Sequence, residues 1–152
     1  ARAAWWYASE TRGHALRLEG PSWGAPTGTD AGRTRGAVSC ASASLCVAVD
    51  YGGNAVPFDG TSWGTPTSID LSNTLVSVSC ASASFCVAID NSGNALRFDG
   101  TSWGAPTSLD AGNSLCAVSC SSANFCVAID NDGYALRFDG TRLVPPSRTS
   151  PI

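Results

Sequence analysis

Residues 79–103, SCASASFCVAIDNSGNALRFDGTSW, decide the fold, because the chain writes them more than once. Forty positions earlier stands SCASASLCVAVDYGGNAVPFDGTSW, residues 39–63, and forty later SCSSANFCVAIDNDGYALRFDGTRL, residues 119–143. The opening residues 5–23, WWYASETRGHALRLEGPSW, fall into the same frame as a worn copy. There Trp5 and Trp6 take the places of Phe85 and Cys86, so this copy lacks its disulfide and its first strand.

Each full copy reads as four short strands. Residues 75–80 (LVSVSC) form the first, with Val76, Val78 and Cys80 expected on one face because strand side chains alternate. Residues 85–90 (FCVAID) form the second, with Phe85, Val87 and Ile89 opposite Cys86 and Ala88. The turn Asn91-Ser92-Gly93-Asn94 follows, its glycine supplying the positive φ a tight hairpin demands. Residues 95–98 are the third strand, closed by Asp99-Gly100. Residues 101–107 are the fourth, which Pro106 marks as an edge because proline donates nothing to a ladder.

Four strands, tight turns and a longer return link, repeated every forty residues, predict an all-β chain folded as a β-propeller with four-stranded blades. The first strand of each blade lies near the axis and the fourth at the rim. A β-trefoil or β-prism also uses units of about forty residues, but a trefoil has no place for a fourth unit. The single domain covers residues 1–152, with repeats 1–38, 39–78, 79–118 and 119–152. The first blade lacks its axial strand. It stays three-stranded, or the chain is a segment of a longer propeller, or a second chain completes the ring as a homodimer.

Composition excludes several classes. The hydrophobic share is 43% and mean hydropathy is +0.04, as in a globular chain. No run approaches the roughly 18–20 apolar residues of a spanning helix, so membrane insertion is not expected. Net charge is −3, and the nine basic residues are all arginine and scattered, which argues against nucleic acid. There is no methionine, even at position 1, which points to a processed or excised segment or to removal of the initiator.

Six of the seven cysteines recur as C-x5-C: Cys40/Cys46, Cys80/Cys86 and Cys120/Cys126. Adjacent strands of a hairpin bring such pairs within the roughly 5.5–6 Å Cα separation that a disulfide favours. Metal binding is the alternative, but His14 is the lone histidine and no third ligand accompanies any pair. Disulfides imply an oxidising compartment, so the chain is expected to be secreted. Cys116 is left unpaired. It stands four residues before Cys120, about 13 Å along a strand, and is expected as a buried thiol near the axis, with an intermolecular bridge as the alternative.

The D-x-x-G turns at 50–53, 90–93 and 130–133 offer too few oxygens for calcium, which needs about six to eight. The D-G-T-S-W element carries Trp63 and Trp103, with Trp23 in EGPSW, while the last copy has Leu143. Apolar packing between blades is one reading of these indoles. The other is that Trp23, Trp63 and Trp103 offer flat faces to sugar rings, with Asn54 and Asn94 bonding hydroxyls; His14 and Tyr134 hold the matching places. No carboxylate pair converges as glycoside hydrolysis requires, and a Ser–His–Asp set would depend on His14 in the worn copy. No catalytic residue, metal or cofactor is therefore expected.

The pattern S-C-x-S-x-x-F-C-V-A-x-D-x-x-G-N-A followed by D-G-T-S-W resembles the cysteine-paired repeats of secreted bacterial β-propeller proteins. Residues 79–95 with 99–103 match throughout, residues 39–55 with 59–63 nearly so, and residues 119–135 with Tyr134 for Asn. The resemblance implies an extracellular propeller, sometimes attached to a hydrolase or lectin-like module. The first expectation is a non-catalytic, lectin-like module that presents repeated shallow sites to a glycan or cell-surface polysaccharide. The second is a structural, protein-interaction or assembly-forming propeller.

Overall fold

A computed structural model describes residues 4–8, 13–19, 21–28 and 36–139, and these are all β with turns. The first sheet holds β1 (Ala4–Ala8), β2 (His14–Glu19), β3 (Ser22–Trp23) and β4 (Thr27–Gly28), the last two both pairing with β2. The second runs β5 (Gly36–Ser42), β6 (Leu45–Asp50), β7 (Asn54–Phe58), β8 (Thr67–Ser68). The third repeats it as β9 (Leu75–Ser82), β10 (Phe85–Asp90), β11 (Asn94–Phe98), β12 (Thr107–Ser108). The fourth contains β13 (Leu115–Ser122), β14 (Phe125–Asp130) and β15 (Ala135–Phe138). All pairings are antiparallel, and in the second, third and fourth sheets they join chain neighbours, so each of these is a meander.

The sheets pack face to face in chain order, as blades in an arc. Between the second and third lie Val47, Val49, Val78, Ala88 and Leu96, with Leu75 and Cys86 fully buried among them. Between the third and fourth lie Ile89, Ala95, Leu109, Leu115, Ala128 and Leu136. The innermost strands are also stitched by serine: Ser39 Oγ accepts the Cys80 N–H at 2.9 Å, and Ser79 Oγ accepts the Cys120 N–H at 2.9 Å. Ser77 Oγ takes the Val118 N–H at 3.2 Å. Ser39 and Ser79, each just before the first half-cystine of its blade, thus satisfy a backbone donor on the next blade, where a buried N–H without a partner is costly.

Two strand expectations need correction. The fourth strand is not continuous over 101–107: Trp103 bridges Phe98, and pairing resumes only at Thr107 and Ser108. Pro106 interrupts the ladder between them, as a residue without an N–H must. The first strand runs past Cys80 to Ser82 and turns through two residues, and the disulfide bolts the hairpin just before its end.

The face assignment of Val76 also fails, for an instructive reason. Leu75 pairs with Asp90 and Ser77 with Ile89, so Val76 is an extra, bulged residue. The bulge turns Leu75 toward the second blade with Val78 and leaves Val76 against the fourth. In the second blade Gly36 pairs directly with Asp50, with no bulge. A Cβ at Gly36 would stand 1.4 Å from the Val49 carbonyl oxygen. Only glycine lets the strand stay in register here; Val76 and Cys116 carry side chains at the equivalent place, and both are bulged.

Candidate functional site

Three disulfides close as expected: Cys40–Cys46, Cys80–Cys86 and Cys120–Cys126, each with Cα atoms 4.0 Å apart. The cysteines are direct cross-strand partners, which brings them closer than the mean disulfide spacing. Cys116 is free and exposed, against the expectation of burial; its thiol reaches the Ile129 carbonyl at 3.4 Å. It bulges from the face of the fourth blade that lies away from the third.

The D-x-x-G-N turns hold themselves together. Asp50 Oδ1 accepts the Asn54 N–H at 2.9 Å, while the Asn54 amide donates to Oδ1 at 3.1 Å and Oδ2 at 2.9 Å. Asp90 accepts the N–H groups of Ser92 and Asn94, both at 2.8 Å, and the Asn94 amide at 2.7 Å. In the last copy Asp130 takes the N–H groups of Asp132 and Tyr134. The side-chain amides of Asn54 and Asn94 therefore face their own turns. His14, at the matching place on β2, pairs with Gly28.

The two described connectors, after the second and third blades, each dock on such a turn. Gly53 lies at φ 81°, and its carbonyl accepts the N–H groups of Ile69 and Asp70 at 2.8 and 3.0 Å. A Cβ there would meet the Asp70 carbonyl oxygen at 1.8 Å, so glycine is required twice over, by φ and by contact. The connector next reaches the following blade: Thr74 N–H donates to Asn91 Oδ1 at 3.1 Å and Ser92 Oγ to Asn73 Oδ1 at 2.8 Å. Asp70, 3% exposed, is thereby set beside Asp90, which is fully buried. Burial first, then the hydrogen bond and charge of Asp90, push the Asp70 carboxyl above its ordinary range. At the DG turns the direction is opposite. Asp59 and Asp99 accept the N–H groups of Ser62 and Thr61, and of Ser102 and Thr101, which hold their carboxyls below the usual value.

A cleft recurs at every described blade junction. Between the first and second blades it measures about 620 Å³, with Arg17, Thr27, Phe58, Ser62 and Trp63 among its walls. Between the second and third it is about 570 Å³, lined by Val47, Pro57, Thr67, Phe98 and Trp103. Between the third and fourth it is about 640 Å³, lined by Val87, Arg97, Thr107, Val118 and Phe138. One wall comes from the outer strands of one blade, the other from the next blade's DGTSW turn or third strand. Such volumes are in the range of ligand sites. Trp63 and Trp103 are half-buried, tilted against Phe58 and Phe98 at 5.2 and 5.4 Å between centroids. Trp23, on β3, is 53% exposed. The structure thus brings Trp63 and Trp103 into clefts and keeps them apart from Asn54 and Asn94, which lie at the turns. Arg17, Arg97 and the Thr–Ser rim were missed in the sequence, although Thr67-Ser68 and Thr107-Ser108 recur at the forty-residue spacing.

Solved structures with this arrangement are numerous. The chain is similar to YCF48 from Cyanidioschyzon merolae, with TM-score 0.68, 16% identity and coverage of 85% of this chain and 45% of that one. It is similar to U3-55K at TM-score 0.73, 7% identity and coverage of 88% and 44%. A YCF48 bound to D1 peptide matches at TM-score 0.60 and 19% identity over 70% and 38%. The fold is a β-propeller. The chain spans less than half the length of each of these propellers. No protein-family model and no curated protein sequence matches it. Of the resemblance to secreted bacterial repeats, the findings support the propeller and the three cysteine pairs about forty residues apart. Among the described residues no helix is long and apolar enough to cross a membrane, and no group of three potential metal ligands occurs.

Proposed function

We propose that this chain is a non-catalytic protein-interaction module that grips an extended polypeptide in its interblade clefts. The observation that supports this is a cleft at each of three blade junctions with hydroxyl-bearing residues on its rim; the two between the second and fourth blades have mostly apolar walls, and the first, with Arg17, Thr61 and Ser62, is mixed. Beside each lip the outer strand pairs only in part, at Trp103 and again at Thr107. An extended peptide is recognised by such exposed strand groups together with pockets for alternate side chains. A YCF48 propeller of the same fold is bound to a peptide, which supports a protein partner. Repeated clefts also suit a partner that touches several of them, since linked weak contacts gain avidity. The three disulfides are compatible with work in an extracellular, oxidising setting.

Selection from a displayed library of linear peptides tests this. Peptides with apolar residues at alternate positions are expected to enrich, and Ala105→Trp, which fills the cleft lip, is expected to abolish their binding. No enrichment over an inert control would overturn the reading. A second reading, the lectin-like binding of a surface polysaccharide, rests on Trp23, whose indole stands open to solvent. A glycan array checks it: signal that disappears in Trp23→Ala would favour sugar over peptide.

A further inference from the structure

The junction of the second and third blades buries a connector carboxylate against one from the next blade's turn. Asp70 is 3% exposed and Asp90 is fully buried, and the Asp90 carboxyl is the hydrogen-bonding and charged neighbour of Asp70. The other groups acting on Asp70 are the N–H groups of Ser72 and Asn73, with no arginine among them. Asp70 Oδ1 takes those N–H groups at 3.3 and 3.2 Å and the Asn73 amide at 3.3 Å. Its Oδ2 is buried and has no hydrogen-bond partner. Burial strips an anion of the water that stabilises its charge, so such an oxygen calls for a counter-charge or a proton.

The arrangement returns forty positions on. Asp110 is 6% exposed, its Oδ2 is buried without a hydrogen-bond partner, and its Oδ1 accepts the Asn113 amide at 2.9 Å. Asp130, at the place of Asp90, is 2% exposed. A buried oxygen left unsatisfied in step with the repeat belongs to the junction and not to an accident of one turn. It marks a place for an ion.

The D-x-x-G turn by itself offers too few oxygens for calcium, but the connector of the preceding blade adds to them. The Asp70 and Asp90 carboxylates each bring a pair of oxygens. Ser92 Oγ donates to Asn73 Oδ1 at 2.8 Å in the same network, while the Ser92 N–H holds Asp90 Oδ1. Ser92 is exposed and Asn73 half-buried, so this side opens to solvent and gives an ion its way in. Two carboxylates, an amide oxygen and a hydroxyl, with water on the open side, suit the roughly six to eight hard oxygens that calcium takes. We propose that calcium binds between the Asp70 and Asp90 carboxylates, and again between Asp110 and Asp130, clamping each connector to the next blade. These sites lie at the turns and owe nothing to peptide binding in the clefts.

Calorimetric titration of the EDTA-treated chain with calcium chloride at neutral pH tests this. The expected result is about two ions per chain, with dissociation constants of about 10⁻⁴–10⁻³ M. Asp70→Asn and Asp110→Asn should each remove one of them. At calcium about tenfold above its dissociation constant, the parent Tm should rise by about 5 °C or more, and Asp70→Asn should lose about half the rise. In EDTA Asp70→Asn should be at least as stable as the parent, which separates loss of the ion from loss of the fold. Asp99→Asn removes a charge of the same sign from an exposed turn and should leave the calcium response unchanged. No heat of binding, with equal Tm in calcium and in EDTA, overturns the proposal, since a shared proton then suffices. So does a Tm rise matched by sodium chloride at equal ionic strength, or a stoichiometry that Asp70→Asn does not alter.

Discussion

The third and fourth blades share the strand FCVAID, at residues 85–90 and 125–130, yet they live in different solvents. Phe85 is 2% exposed and Phe125 is 42% exposed. Ile89 is fully buried and Ile129 only half-buried. Identical residues with nearly identical cross-strand partners (Ile89 faces Ser77, Ile129 faces Ala117) thus differ because, among the described residues, one sheet is covered on both faces and the other on one. In a repeat protein, stability belongs to junctions between units as much as to the units. Substitutions should therefore read out position in the arc.

The largest expected effect lies on this pair. Phe85→Ala opens a cavity between two blades and should cost about 3–5 kcal/mol. Phe125→Ala removes a ring from an open face and should cost under about 1 kcal/mol in the single chain. Urea unfolding of both variants measures the contrast; equal losses would show that the open face of the fourth blade is covered in solution.

The disulfides should erase the contrast. Cys80 with Cys86 and Cys120 with Cys126 close loops of the same length, sequence separation 6 in each. Loop closure acts through the unfolded chain, so each double alanine variant should lose about 2–3 kcal/mol, whichever blade carries it. A loss confined to the third blade would mean that native packing of the sulfurs governs the effect.

Much of this architecture is legible in the residues, and what escapes does so for definable reasons. The second strand of each copy runs where alternation places it, because the D-x-x-G turn pins its end and the cysteine hairpin its start. The fourth strand was overextended because a proline announces an edge but not how many pairs survive beside it. The burial of Cys116 was misjudged, since whether a face is covered depends on a neighbour that the residue itself does not encode. The role of Ser39 and Ser79 was hidden too: each hydroxyl bonds an N–H 41 residues away, on another sheet. The clefts with their Thr–Ser rims arise between units, where a reading made one repeat at a time does not look.

The bulge at Val76 belongs with these hidden features, and it offers the next test. Gly36→Val places a side chain where the Val49 carbonyl already sits, so the second blade must adopt the bulge of the third. The expected loss is about 1–3 kcal/mol, that of an overpacked site. Val76→Gly should cost about 1 kcal/mol, since the bulge can remain. Thermal unfolding of the two variants distinguishes a strand that needs glycine from one that merely tolerates it. An unaffected Gly36→Val would show that the register of β5 is freely adjustable.

The smallest expected change is a gain. Asp70 sits buried beside Asp90 with its carboxyl pushed upward, and its Oδ2 has no hydrogen-bond partner. A carboxyl whose value is raised by folding favours the fold when protonated. That contribution is fully present below the ordinary value of 3.8 and is lost as pH rises through the raised one. Asp59 and Asp99, held low by backbone donors, run the other way: their contribution is present above the ordinary value and lost as pH falls through the lowered one. Once Asp70 ionises, above its raised value, the second-to-third blade junction therefore carries a like-charge contact. Asp70→Asn replaces it with an amide able to donate to Asp90, and should gain about 1 kcal/mol, or about 2–4 °C in Tm. The gain should shrink as pH falls toward the carboxylate range, because there the parent chain protonates Asp70 and removes the repulsion itself. A Tm profile of the two proteins against pH reads this directly; parallel profiles would mean that Asp70 and Asp90 do not share a charge problem.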